Sequence, residues 1–151
     1  MFLAVSCKLE NCQLINRAFS RLASYARLRH KTMPDILFIY GTLHPDRAPA
    51  AIAPVARTLT LIGPATVRGT LLDLGTYPGI LLNPNSPTEI PGHHFALPDP
   101  PNETWRALDR YEDFRPQDPA ASLFLRVQTA ALQPNGTKIP CWIYVYNALS
   151  P

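Results

Sequence analysis

Charge is scarce in this 151-residue chain: 17% of residues are Asp, Glu, Lys or Arg, and 14 basic side chains face 11 acidic ones. Cysteine is limited to Cys7, Cys12 and Cys141. This odd number with no C-x-x-C pair excludes a disulfide framework and makes a reducing, cytoplasmic setting the expectation. No apolar run approaches the ~18 residues that cross a bilayer as a helix, so no integral membrane association is expected. The short apolar start, Met1 to Cys7, has no preceding basic residues and is interrupted at Lys8, which argues against a secretory signal. The chain also lacks G-x-S-x-G, a P-loop, G-x-G-x-x-G and H-E-x-x-H. Of its four histidines, His93 and His94 are adjacent, and neighbouring strand residues point to opposite faces, so they cannot chelate together. No metal and no cofactor are expected.

What is plentiful is proline, at 17 residues, and it is unevenly placed. Every proline lies at or beyond Pro34 and every glycine at or beyond Gly41. Charge divides at the same point: residues 1–33 hold six basic side chains against Glu10 alone, whereas the remainder is slightly acidic. The chain therefore reads as a basic N-terminal extension, 1–33, and a domain, 34–151. From Lys8 to His30 the extension places Ile15, Phe19, Leu22 and Ala26 on one helical face and arginines on the other, the pattern of a basic amphipathic helix. A membrane-surface anchor, a transit peptide or a disordered, roleless tail ahead of Met33 would each carry it, and the last is the simplest. The body has no clustered basic face and no reader motif, so nucleic acid is not an expected partner.

Within the body, Ile36–Tyr40 is a buried strand by its β-branched and aromatic run, ended by Gly41. A loop with a short helix follows. Arg57–Leu74 reads as one or two strands bent at Gly63 and Gly69, Ile80–Leu82 as a short strand, and Glu89–Leu97 as a strand broken at Pro91-Gly92. One convincing helix runs from Asn102, its expected cap, to about Glu112, with Trp105, Leu108 and Tyr111 on one face. Ser122–Leu132 and Thr137–Tyr146 form a hairpin across Gln133-Pro134-Asn135-Gly136. The fold class is α+β: a small curled mixed sheet or barrel of about six strands with one main helix.

Two segments stand out chemically. A glycine directly after a buried strand, at Tyr40-Gly41-Thr42-Leu43, can turn backbone N–H groups toward an anion. At the helix end, Leu108-Asp109-Arg110-Tyr111-Glu112 places Asp109 and Glu112 near one face, and the residues alone do not choose between these acids or Asp113. The order Y-G-T-L, G-T-L-L-D-L-G-x-Y-P-G, L-D-x-Y-E, F-L-R-V and Y-V-Y, from about Ile36 to Tyr146, resembles the gamma-glutamylcyclotransferase-like family, in its avirulence-induced-gene-like branch. The resemblance implies Glu112 as catalytic acid/base and Tyr40, Gly41, Thr42 and Leu43 as the substrate-binding loop. Tyr77 and Arg126 are its further substrate-binding candidates, Arg126 as counter-charge to a substrate carboxylate.

The implied reaction is intramolecular: the α-amine of a γ-glutamyl group attacks its own side-chain amide, giving 5-oxoproline and a free amine or amino acid. The partner is then a small γ-glutamyl compound. The chain departs from the family pattern at Phe124, where Tyr is common, at Asp113, where Gly commonly follows the glutamate, and at Gly92-His93-His94-Phe95, where G-x-L-Y is frequent. The first two motivate an alternative: a ligand-binding or interaction domain of the same fold without turnover.

Overall fold

A computed structural model describes residues 33–149. The helix read over Lys8–His30, with its membrane-surface and transit readings, lies outside the described residues. The elements are β1 (Ile36–Ile39), a one-turn helix α1 (Ala53–Ala56), β2 (Thr60–Asp73), β3 (Pro78–Leu82), β4 (Glu89–Ala96), α2 (Asn102–Tyr111), a 3₁₀ turn (Pro119–Ala121), β5 (Phe124–Leu132) and β6 (Lys138–Tyr146). The strand order is β3-β2-β4-β1-β6-β5, and a β2–β5 pairing at Thr66↔Leu132 closes five of the strands into a barrel, leaving β3 as an extra strand beside β2. All neighbours are antiparallel except β1 and β6, which run parallel. The fold is α+β, with six strands and one main helix, as the sequence pattern indicates.

Side-chain alternation along the strands sorts the core into two layers. Phe38, Val67, Ile80, Ile90, Cys141 and Ile143 pack together on the barrel's inner face. Leu37, Ile39, Phe95, Phe124 and Tyr144 face the other way and pack with Trp105 and Leu108 of α2. Trp105 recurs three residues before Leu108, so one stripe of the helix is buried against the barrel wall.

Three details differ from the sequence reading. Strand β4 is not broken at Pro91-Gly92: both residues hold their register opposite Thr66 and Ala65 of β2. The glycine marks a close approach instead, because a Cβ at residue 92 would lie 2.5 Å from both the Ile39 carbonyl oxygen and Phe38 Cζ. Asn102 does not cap α2; it is the first helical residue, Pro101 is the N-cap, and no side chain bonds the free N–H groups there. Strand β3 begins at Pro78, two residues before the expected start at Ile80, because Pro78 and Gly79 pair with Asp73 and Leu72. Arg57–Leu74 resolves as one 14-residue strand whose register shifts between Leu61 and Gly63.

Candidate active site

Helix α2 ends on Glu112, and the manner of its ending fixes that residue. Phe114 N–H donates to the Asp109 carbonyl (2.8 Å) and Asp113 N–H to the Arg110 carbonyl (3.3 Å). With Asp113 at φ +50, this is a Schellman ending, in which the residue after the C-cap adopts the left-handed conformation. Glycine does so freely and aspartate at modest cost, so the Asp113 departure keeps the backbone geometry that a glycine there would give. Glu112 is the C-cap. From there the chain is tied back by Leu123 N–H to the Asp113 carbonyl (3.1 Å) and by Arg115 N–H to Ser122 Oγ (2.9 Å), which carries Leu123 and Phe124 to the same wall.

Glu112 lines a cavity of about 340 Å³. Tyr40, Gly41, Thr42 and Leu43 line it from the end of β1, Tyr77 and Pro78 from the start of β3, and Tyr144 from β6. The loop after β1 and the turn before β3 approach closely, for a Cβ at Gly41 would stand 3.3 Å from Pro78 Cγ. Among the described residues, no backbone or side-chain acceptor takes the N–H groups of Gly41, Thr42 or Leu43, which leaves three donors free beside the cavity. Burial pushes the Glu112 carboxyl up to about 7, because a low-polarity wall disfavours its ionised form. The Tyr40 hydroxyl donates to the Tyr144 carbonyl (3.0 Å). Its ionisation is pushed far above the usual phenol range by burial, and the nearby Glu112 charge adds to this. Tyr77 is about one-third exposed, its ring centroid 5.8 Å from that of Phe124.

The structure thus brings together Glu112, Tyr40, Gly41, Thr42, Leu43 and Tyr77, and leaves Arg126 out. Arg126 is not among the cavity-lining residues. Its guanidinium carbon lies 4.3 Å from the Trp105 ring centroid and its Nη1 3.4 Å from Asp109 Oδ1. Its expected place opposite a substrate carboxylate is therefore taken by an internal pairing. The rival acids separate as well: Asp109 is buried and accepts a 2.6 Å hydrogen bond from the Tyr144 hydroxyl, and exposed Asp113 bonds Arg115 (3.2 Å). Of the three carboxylates only Glu112 lines the cavity. Tyr144, which the sequence pattern does not single out, is both buried and cavity-lining. Pro49 and Leu123, also at the wall, carried no signal, since each sits in an irregular segment. Among the described residues no helix is long and apolar enough to cross a membrane, and no cluster of three His, Cys, Asp or Glu side chains is placed to hold a metal.

Comparison with known proteins agrees with this architecture. An AIG2-like protein from Mus musculus superimposes with a TM-score of 0.61 at 19% identity, covering 78% of this chain and 80% of that one. YkqA from Bacillus subtilis gives 0.57 at 20% identity over 76% of this chain, which spans only 36% of YkqA. A structure described as a gamma-glutamyl cyclotransferase gives 0.54 at 15% identity, covering 76% of this chain and 68% of that one. At such identities the likeness is one of fold. No curated protein sequence matches the chain. A family model described as gamma-glutamyl cyclotransferase, AIG2-like, matches residues 37–151, which is nearly the whole barrel and helix with every cavity residue named above. The chain belongs to the gamma-glutamyl cyclotransferase, AIG2-like family.

Proposed function

We propose that the chain converts a γ-glutamyl compound into 5-oxoproline and a free amine or amino acid, with Glu112 as the single acid/base. The observation that carries this reading is one cavity lined both by a partly buried carboxyl and by a loop with three unpaired backbone N–H groups. The reaction needs little else from a protein. The nucleophile and the carbonyl belong to one molecule, and a folded, oriented substrate gains an effective concentration on the order of 10⁵ M or more. Three donors beside the β1 loop would bind the substrate's α-carboxylate or the oxygen that gathers charge during attack.

Glu112 moves the proton. As a carboxylate it removes one from the α-ammonium; the amine nitrogen then bonds to the γ-carbon, and the carbon–nitrogen bond to the leaving group breaks. Glu112 returns that proton to the departing nitrogen, and the second proton, which the ring nitrogen sheds as it becomes the lactam N–H, passes to the released amine, which departs as an ammonium; the enzyme ends as it began. A group whose pKa stands near 7 is suited to accept and then release a proton at neutral pH. Because the carboxylate is the active form, kcat rises with pH through about 7.

The test is release of 5-oxoproline from a panel of γ-glutamyl amino acids, γ-glutamylamines and glutathione. Glu112→Gln keeps the shape and abolishes proton transfer, so kcat falls by about 10²–10⁴-fold with the circular dichroism spectrum unchanged. A wild-type protein that releases no 5-oxoproline from any of these would sink the proposal. Tight binding of such compounds that is indifferent to Glu112→Gln would favour the ligand-binding reading, to which the missing hydroxyl at Phe124 gives some support.

A further inference from the structure

Arg126 is held in an unusual way for an arginine on a strand at the barrel seam. Its side chain is 19% exposed, and the Asp109 side chain it faces is 12% exposed. Besides Trp105, the rings of Trp142 (5.3 Å) and Phe114 (5.7 Å) surround the guanidinium carbon. Its buried Nε and Nη1 make no hydrogen bond, and the 3.4 Å approach to Asp109 is an ion pair without hydrogen-bond geometry. The positive charge is therefore balanced by one carboxylate and by the faces of aromatic rings.

Asp109 stands one helical turn before Glu112, close enough on an α-helix for the two carboxylates to sense each other. The same Asp109 oxygen that faces Arg126 accepts the Tyr144 hydroxyl, and Tyr144 reaches the cavity wall. Other groups around Glu112 are the phenols of Tyr40 from β1, Tyr77 ahead of β3, Tyr144 from β6 and Tyr111 on its own helix, together with the exposed Asp113–Arg115 pair just beyond it. Neutral phenols set no field of a full charge, and the exposed pair is screened by solvent. The buried full charges near Glu112 are those of Asp109 and Arg126.

We propose that Arg126 is a positioning residue acting through Asp109: the two form a charge-balanced pair behind the cavity, leaving Glu112 as the one uncompensated carboxylate at its wall. The inference rests on Glu112 as the acid/base of the reaction. It makes a prediction about sign that a purely structural role does not. Removing the positive partner leaves a bare negative charge one turn from Glu112, which favours the protonated form. Removing the negative partner leaves a bare positive charge, which favours the ionised form.

The experiment titrates Glu112 by ¹³C NMR of its side-chain carboxyl and, in parallel, follows kcat against pH. In Asp109→Asn, which preserves an acceptor for the Tyr144 hydroxyl, the midpoint moves down by about one pH unit. In Arg126→Met it moves up by about one unit, and the double variant returns close to wild type. Arg126→Lys, which keeps the charge, holds the wild-type midpoint. Should Arg126→Met fail to fold, the downward shift in Asp109→Asn and the unmoved midpoint in Arg126→Lys still decide. Midpoints that move in the same direction in both single variants, or that stay fixed in folded protein, overturn the pairing. Failure of the acid/base reading is separable: the NMR midpoints then shift as described and the kcat profile does not follow them.

Discussion

Toward the barrel interior the wall presents Phe38, Ile90, Cys141 and Ile143, and among them one imidazole, His94, fully buried with neither nitrogen hydrogen-bonded. Toward α2 the same strands present Leu37, Phe124 and Tyr144, and here polar groups face one another, although two buried nitrogens of Arg126 make no hydrogen bond. Trp105 Nε1–H donates to Asp35 (2.7 Å), the Tyr144 hydroxyl to Asp109 (2.6 Å), and Arg126 faces the same carboxylate. One layer is built for volume and the other for the placement of charge. The cavity draws its walls from both, Phe38 and Tyr40 from the first and Ile39, Phe124 and Tyr144 from the second.

The interior layer should therefore respond to changes of size. Gly92→Ala is the severest test, because the new methyl meets a backbone oxygen and the ring of Phe38 at 2.5 Å. A loss of about 3 kcal/mol in urea denaturation is expected, the upper range for overpacking. An unchanged midpoint would mean that the interior is slack and that the two layers are less different than the contacts indicate.

His94 offers the converse, a change that improves the interior. Burial lowers its proton affinity, so the folded protein keeps the imidazole neutral while the unfolded chain binds a proton below about pH 6.5. Stability is then fully present above that pH and is lost as pH falls through it. His94→Leu removes an unsatisfied polar group and the proton linkage together. It should stabilise by about 1–2 kcal/mol at pH 7, with the margin widening toward pH 5. A margin that is constant with pH would show that the imidazole takes up no proton on unfolding.

The smallest effect belongs to the helix-facing side. Asp113→Gly relieves a left-handed residue at φ +50 and sacrifices an exposed bond to Arg115. A net gain of about 0.5–1 kcal/mol is expected, with kcat unaltered, since the Schellman ending that fixes Glu112 is retained. A change in kcat would show that the Asp113 charge reaches the cavity.

Local signals carried much of this architecture. The apolar run Ile36–Ile39, the Trp105-Leu108-Tyr111 stripe and the Gln133–Gly136 turn each record a structure formed by neighbours in sequence. Pro91-Gly92 misled because glycine serves two purposes, as a break in a strand or as a gap for another backbone, and the second depends on Phe38 and Ile39, more than fifty residues away. Glu112 and the Tyr40–Leu43 loop were legible together only through the ordered motifs of the family. The place of Arg126 was not, since an arginine alternating with apolar residues gives no sign of which face meets a helix. Its partner Asp109 reads as one of several helix-end acids, and what distinguishes it is the Tyr144 hydroxyl, from a strand 35 residues further on.

The barrel is joined between β2 and β5 at Thr66↔Leu132 alone and between β1 and β6 at Leu37↔Trp142 alone, whereas β5 and β6 are matched along nine residue pairs and β2 and β4 along eight. Mechanically this is two staves, β2-β4-β1 and β6-β5, with each seam held by one stitch. Such a cuff loosens first along its seams, where few backbone bonds must break. The Tyr40 hydroxyl, donating to the Tyr144 carbonyl, spans the second seam beside the cavity, so the phenol that lines the site also laces the two staves together.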